Sequence, residues 1–540
     1  MGFFTKPTFF RGWLRLLLFG CITSVLACTA VCNTAFALSS VNVPLDHWSY
    51  EALDKLEGFG LIHSNVYNTR PYTRLEVARL VNEALNTDEY KKKKLPSLVN
   101  YLLERFQREF KTELEDLSSE SAKPSSFLKP VQEAQARYVY VDGEPRHFTR
   151  FPKDQNFGIN ATDGTPLFPN NEGINYTEHN NFSLQFASSA RIWDIFSLYA
   201  EPIFIFRENA VNVDNQRDVQ ADLHTGYVKV SPWNVEIEAG RDTMWWGQGY
   251  HGTLLLSNNA APLDMLKLSN PNPSVLPWYF SYLGLFKYTI FCARLEENRD
   301  FPHALLGGAH IAFKPNPLLE LGVTGTLLFG GKGAQGAGLP GSTGQEDGQM
   351  SIDARLRLPF LRNAELYAEY GGEDTQGPRW YEFMFRDVAY ILGIYFPTIC
   401  DDGRTDLRVE YANNAFKQGD QGHVGFWYGH TQYTSGMTFE RLILGHAMGP
   451  DGSDFFVRST HYITDKWRLG IDYDDTENGL TLNKGVVERV NSAGADITYD
   501  INQWLSVSGR YAYGDISNFD LVKGNDRTDN LLMITLKANF

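Results

Sequence analysis

A chain of 540 residues with a net charge of −15 is poorly suited to nucleic acid, whose phosphates want a basic surface, and it is too long for one small core. A mean hydropathy of −0.31 argues against a bundle of membrane-spanning helices, and past the N-terminus no stretch offers the ~18 consecutive apolar residues such a helix needs. Aromatic residues make up 14% of the chain, a share that suits strands and membrane interfaces.

Residues 1–37 read as an export signal. Lys6, Arg11 and Arg15 precede the apolar run Leu16–Leu26, and Ala35-Phe36-Ala37 supplies the small-x-small cleavage site, so the mature chain is expected to start at Leu38. Losing the three cations takes the charge from −15 to −18. Val25-Leu26-Ala27-Cys28 loosely matches a lipidation site and leaves that alternative open. Cys292 and Cys400 stay in the mature chain, and whether they pair is open.

Residues 38–120 are expected to form a small α-helical periplasmic domain. Asp46 is placed to cap a helix carrying Trp48, Leu53, Leu56 and Phe59. Thr73-Arg74-Leu75-Glu76 has the form of a capping box, opening a helix with Leu75, Ala78, Leu80, Val81 and Leu85 along one side. Leu95, Leu98, Leu102, Phe106, Phe110 and Leu114 mark a third amphipathic stretch, with the basic run Lys91–Lys94 at its start. Over residues 41–85, Asp46-His47-Trp48, Gly60-Leu61-Ile62 and Pro71 to Ala78 resemble an S-layer-homology module. That resemblance implies a compact helical unit that docks cell-wall polymer such as peptidoglycan. A plain helical cap fits the same residues. The Ser- and Pro-rich stretch 121–134 reads as a linker.

From 135 to 540 the period becomes two. Trp467, Leu469, Ile471 and Tyr473 alternate with Arg468, Gly470, Asp472 and Asp474, and the same alternation recurs around Ile352–Leu358, Leu407–Tyr411, Ala493–Tyr499 and Leu505–Tyr513. Charges fall almost wholly on the second face, which a polar lumen tolerates and a packed soluble core does not. The expectation is an all-β transmembrane barrel of about 18 antiparallel strands, 16–18 being compatible with spanning strands of ~10 residues. Lys314-Pro315-Asn316-Pro317 reads as a short periplasmic turn and Gly330–Gly348 as a long surface loop. In the final strand Leu532, Ile534, Leu536, Ala538 and Phe540 share one face. A terminal aromatic there resembles the signal read by the outer-membrane barrel-assembly machinery. The expected location is the outer membrane of a Gram-negative-type envelope, with lipid around the barrel.

The most distinctive stretch runs from Gly240 to Asp264. Trp245 and Trp246 offer flat indole faces for sugar rings, and Tyr250 belongs to the same set. Asp242, Gln248, His251, Asn258, Asn259 and Asp264 offer hydrogen bonds to hydroxyls, and Arg241 could pair with a uronic-acid carboxylate. These residues are the candidate polysaccharide-binding set. An aromatic girdle followed by a tight Gly-rich plug loop is the plainer account of the same residues. The pattern Gly-Arg-x-x-x-Trp-Trp-Gly-x-Gly-Tyr-His-Gly, then Leu-Leu-Leu-Ser-Asn-Asn-Ala and Pro-x-Asp, resembles the capsule-assembly Wzi family. The resemblance implies a plugged barrel that binds or organises exported capsular or extracellular polysaccharide, lectin-like and non-catalytic. A carbohydrate-type diffusion porin with a wall-associated N-terminal module is the alternative. No Gly-x-Ser-x-Gly, His-Glu-x-x-His or Walker pattern occurs, so no catalytic residue and no cofactor is assigned. The spacing of His423, His430, His446 and His461 fits no compact ligand motif, and no metal site is assigned.

Overall fold

The computed structural model describes residues 38–92, 95–118, 126–143, 167–210, 217–334, 346–373, 388–415, 427–430, 432–481 and 485–540. Residues 1–37, read above as an export signal, and residues 335–345 of the glycine-rich loop lie outside that range. Among the described residues, alternating apolar and polar residues pair into a closed antiparallel barrel of 18 strands, Ser274–Val275 continuing the Leu263–Ser269 strand along Leu285–Arg294. It opens with Phe127–Asp142 and closes where that strand pairs with Arg527–Asn539, Ala136 facing Leu536 and Tyr138 facing Ile534. The first strand thus begins inside the stretch expected as linker. Its run from Gln135 to Val141 alternates cleanly, and the pairing of Phe127, Leu128 and Lys129 with Arg191, Ala190 and Ser189 carries it back past Pro130 through a bulge.

The barrel wears its apolar face outside. Leu266 is 58% exposed and Ile471 56%, while the lumen side holds buried Glu320, Asp353, Arg355, Glu369 and Glu410. Only lipid makes that arrangement favourable. Short turns gather at one mouth, among them 317–318, 463–466 and 501–504, and exposed Trp193, Trp233, Phe360, Trp504 and Phe540 sit in or beside them as an interface girdle would.

The helical domain closes the short-turn mouth. It comprises α1 (Ser49–Gly58), α2 (Arg74–Asn86), α3 (Asp88–Lys92), α4 (Ser97–Glu109) and α5 (Lys111–Ser118). Leu53, Leu56, Leu80, Val81, Leu98, Leu102 and Phe106 form its core, each side chain contributing on the order of 1.5–3 kcal/mol by leaving water. Asp46 does not cap α1, which begins three residues later behind Trp48; its carboxylate lies 3.4 Å from Lys537 Nζ on the last barrel strand. The Thr73 hydroxyl accepts the Glu76 N–H at 3.0 Å as the capping box requires. The Glu76 carboxylate, which would complete the box, instead takes two hydrogen bonds of 2.8 Å from Lys287 Nζ on the barrel wall. The third amphipathic stretch breaks at Phe110 into α4 and α5.

Arg74 donates from Nε to Glu113 at 2.7 Å and from Nη2 to the Glu109 carbonyl at 2.6 Å. Burial raises the Glu109 carboxyl, but the charges of His47, Arg74 and Arg105 outweigh it and hold the group well below its ordinary range. Outward-facing ion pairs fasten the domain to the wall. Glu57 meets Arg357, Glu51 meets Arg468, Arg105 Nη1 lies 2.8 Å from Asp500 and Arg408 Nη2 lies 3.2 Å from Asp54.

Candidate functional site

From the strand Glu236–Asp242 the chain turns into the lumen and returns to the wall at Leu263–Ser269. Inside, Trp245 and Trp246 form a two-residue antiparallel pair with Arg70 and Thr69 of the helical domain. Gly247 N–H donates to the Asn68 carbonyl at 3.0 Å. The segment that comes down from the long-loop side therefore joins the domain that comes up from the short-turn side.

A row of wall carboxylates then receives the loop. Asp353 and Glu320 accept from Gln248 Nε2 at 2.8 and 3.1 Å and also from Asn68, so they serve both plugs at their junction. Glu369 accepts the Gly249 and Leu254 amides at 2.8 and 3.0 Å. Glu410 accepts the Tyr250 and His251 amides at 2.7 and 3.0 Å. The glycines are what let backbone come so close. Gly247 sits at φ +138°, and a Cβ there would fall 2.3 Å from Glu369 Oε1. Further along, Leu254, Leu255 and Leu256 pack with Trp427, Tyr428, Met437, Leu442 and Leu444 of a second inward segment, 427–451, to make an apolar core within the barrel.

This geometry sorts the residues singled out from sequence. Trp246 is 1% exposed, stacked on His310 and edge-on to Phe291, so neither ring face is open. Trp245 is buried and donates Nε1–H to the Gly249 carbonyl at 3.1 Å. Buried Asp242 accepts from Asn42 at 2.6 Å and Lys267 at 3.3 Å. Gln248 is held as described. Asn258 is buried, its carbonyl taking the Glu172 amide, and Asn259 Nδ2 donates to the Ile443 carbonyl at 2.9 Å. Arg241 and Asp264 form a forked pair at 2.7 and 2.9 Å near the long-loop mouth. Tyr250 and His251 keep partial exposure.

Two of the cavities in this half of the barrel are lined by charged side chains. One, about 350 Å³, is lined by Arg241 together with Arg207, Arg217, Gln220, Asp222 and His224. The other, about 300 Å³, is lined by Tyr250 and His251 together with Arg458, Arg510, Asp472 and Asp496. In the second, Arg458 reaches Asp472 and Asp496 at 2.9 and 2.8 Å, and Arg510 reaches Asp472 at 2.7 Å, closing an alternating ring of charge. Both have room for a sugar ring or two and offer hydrogen-bonding groups on several sides. Apart from Arg241, Tyr250 and His251, these lining residues were not picked out from sequence. Their signal was the polar half of each alternating strand, which marks the lumen face without saying where the lumen stays open.

A family model described as "Capsule assembly protein Wzi" matches residues 151–531. The match starts well beyond 41–85, so the S-layer-like reading of that segment rests on its own residues. An "Uncharacterized 55.8 kDa protein in cps region" of Klebsiella pneumoniae is 27% identical over 179 residues, and the aligned part spans 33% of each protein. Among solved structures the chain is similar to Wzi of Escherichia coli, described as an outer membrane protein involved in group 1 capsule assembly and a carbohydrate-binding β-barrel. The TM-score is 0.68 at 18% identity, covering 94% of this chain and 99% of that one. A looser likeness, TM-score 0.47 at 12% identity, covers 78% of this chain and 99% of Acinetobacter baumannii OccAB2.

Proposed function

The chain belongs to the capsule assembly Wzi family, and from that premise we propose that it binds or organises exported capsular or extracellular polysaccharide at the cell surface, as a lectin-like barrel without catalysis. The observation that carries this reading is a lumen filled from both mouths, with the helical domain and the 243–262 loop joined by the Trp246–Thr69 pairing and tied to the wall by Glu320, Asp353, Glu369 and Glu410. A diffusion porin needs that path open. What a plugged barrel can still offer is its two polar cavities, whose arginines, carboxylates and amides suit sugar hydroxyls and acidic substituents. In this reading Arg241, Asp264, Tyr250, His251 and Asn259 stand near ligand, and Asp242, Trp245, Trp246, Gln248 and Asn258 hold the loop that presents them.

The helical domain acts as a plug. Arg74 and Glu76 of its S-layer-like motif are spent on Glu113 and Lys287 rather than turned to a wall polymer. Lipid surrounds the apolar exterior, and the last strand, with Phe540 at its end, is the segment offered to the barrel-assembly machinery.

The test pairs two measurements on the purified full chain. In planar bilayers it should give no large steady channels, and labelled capsular polysaccharide should bind it. Replacing Arg217 and Arg241 by alanine should weaken that binding about tenfold or more, since hydrogen bonds to charged groups contribute on the order of 1.5–3 kcal/mol. Steady high conductance, or full capsule retention in cells lacking the gene, would sink the proposal.

A further inference from the structure

One cluster of side chains stands apart from the carboxylate row and the charge ring. His251 Nε2, on the loop, lies 3.2 Å from Asp474 Oδ2 and 3.6 Å from Asp454 Oδ2, and the ligand atoms of all three residues lie within 4.8 Å of one another. The two aspartates come from neighbouring wall strands, Gly452–Tyr462 and Trp467–Asn478, in which Asp454 faces Thr476 and Phe456 faces Asp474. Among the described residues no Lys or Arg comes within ion-pair distance of either carboxylate; the nearby Arg458 is taken by Asp472 and Asp496. Two carboxylates with the His251 imidazole between them, and the His446 Nδ1 4.0 Å from Asp454 Oδ2, make a cation-seeking site at low dielectric.

A second observation points to a bound species. Asn478, two residues past Thr476 on the same lumen face, is 4% exposed, and its Oδ1 has no hydrogen-bond partner among the described residues. Asn170 Oδ1 is likewise unpartnered, while Asn170 Nδ2 donates to the His251 carbonyl at 2.6 Å. Both asparagines line, with His251, Asp454 and Asp474, one cavity of about 50 Å³. That is well below the two cavities described above and leaves room for an ion with a few waters.

We propose that His251, Asp454 and Asp474 bind one first-row divalent metal ion, which cross-links the inward loop to the barrel wall. An imidazole with two carboxylates is a donor set for Zn²⁺ or Mn²⁺. Ions of this class sit ~2.0–2.2 Å from such ligands, so ligand atoms around one ion lie up to ~4.4 Å apart, close to the spacing found here. Asn478 and Asn170 line the same cavity and offer oxygens to waters held there. Calcium prefers sites made of oxygen alone and is the poorer fit.

The mature full-length chain in detergent, freed of metal with a chelator, is titrated with Zn²⁺, Mn²⁺ or Ca²⁺ alone and bound metal is counted. The expected result is one Zn²⁺ or Mn²⁺ per chain, with Ca²⁺ at least tenfold weaker. His251→Gln and the pair Asp454→Asn with Asp474→Asn should each weaken Zn²⁺ binding about 100-fold or more, beyond the 10–100-fold that outer-shell changes cost. Because these variants can disturb folding, crystals of the unaltered chain soaked in Zn²⁺ give a second measure, an anomalous peak between the three side chains. No stoichiometric Zn²⁺ or Mn²⁺, equal or tighter Ca²⁺, unchanged affinity in folded variants, or a peak elsewhere would overturn the proposal.

Discussion

The two bodies that fill this barrel are held by different chemistry. The helical domain reaches the wall mainly through charged side chains, with Glu57 on Arg357, Glu51 on Arg468 and Glu76 on Lys287. The inward loop is held largely by its backbone, whose amides at Gly249, Tyr250, His251 and Leu254 point at Glu369 and Glu410. Side-chain pairs demand particular residues on both partners. Backbone docking demands only a carboxylate on the wall and a chain slim enough to approach it. That explains why the loop's most distinctive letters are glycines and packed aromatics rather than charges.

If the contrast holds, a lesion in one set of contacts should free one plug and leave the other. The largest effect is expected from Arg357→Ala. It strips Glu57, which is buried, of its main partner and leaves, among the described residues, Lys314 Nζ at 3.4 Å and Asn65 Nδ2 at 2.8 Å. Breaking a buried pair from one side costs about 3–5 kcal/mol. Limited proteolysis should then cut within residues 46–118 while the barrel strands stay protected. Equal protection of the helical domain in variant and parent would show that the ion pairs do not hold it.

Glu369→Gln is the matching lesion for the loop and should cost somewhat less, about 2–3 kcal/mol. The amide keeps one oxygen for Gly249 or Leu254 and turns an N–H toward the other, leaving one buried donor unsatisfied. Transient openings in planar bilayers should appear with the helical domain still protease-resistant. If the domain is released as well, the two plugs are one unit joined at Asn68, Gln248 and the Trp246–Thr69 pairing, and the contrast fails.

The parts legible in the sequence follow the same division. Alternation revealed the strands because a barrel wall in lipid must be apolar on one face and can be charged on the other. Spacing revealed α1, α2 and the start of α4, since a helix buries every third or fourth residue. The break at Phe110 was hidden because the apolar spacing runs on through it to Leu114. The carboxylate row was hidden for a deeper reason. Glu320, Asp353, Glu369 and Glu410 become neighbours only once barrel closure and register are set, and their partners are amides, which every residue but proline owns. The same closure brings His251 to Asp454 and Asp474, residues too distant along the chain for any spacing rule. Trp245 and Trp246 have the flat faces of sugar platforms, yet their rings are walled in by Phe291, His310 and the loop itself.

The smallest expected effect separates side-chain anchoring from packing within the helical domain. Glu109 joins His47 Nε2 and Trp48 Nε1, each at 2.8 Å, and so pins the start of α1 to the end of α4. Burial by itself would raise its carboxyl, but the charges of His47, Arg74 and Arg105 leave it lowered. A carboxyl lowered on folding contributes stability that is fully present above its unfolded value, near 4.5, and lost as pH falls below that value toward the folded one. Protection of residues 46–118 against hydrogen exchange should therefore be flat from neutral pH down to about 4.5 and decline beneath it, by about 1–2 kcal/mol for one such hydrogen-bonded charge. Glu109→Gln should start lower and lose that part of the decline, since it has no proton to take up. If wild type and Glu109→Gln fall in parallel with acid, the anchoring belongs to other carboxylates, and the wall pairs at Glu51, Asp54 and Glu57 become the ones to substitute next.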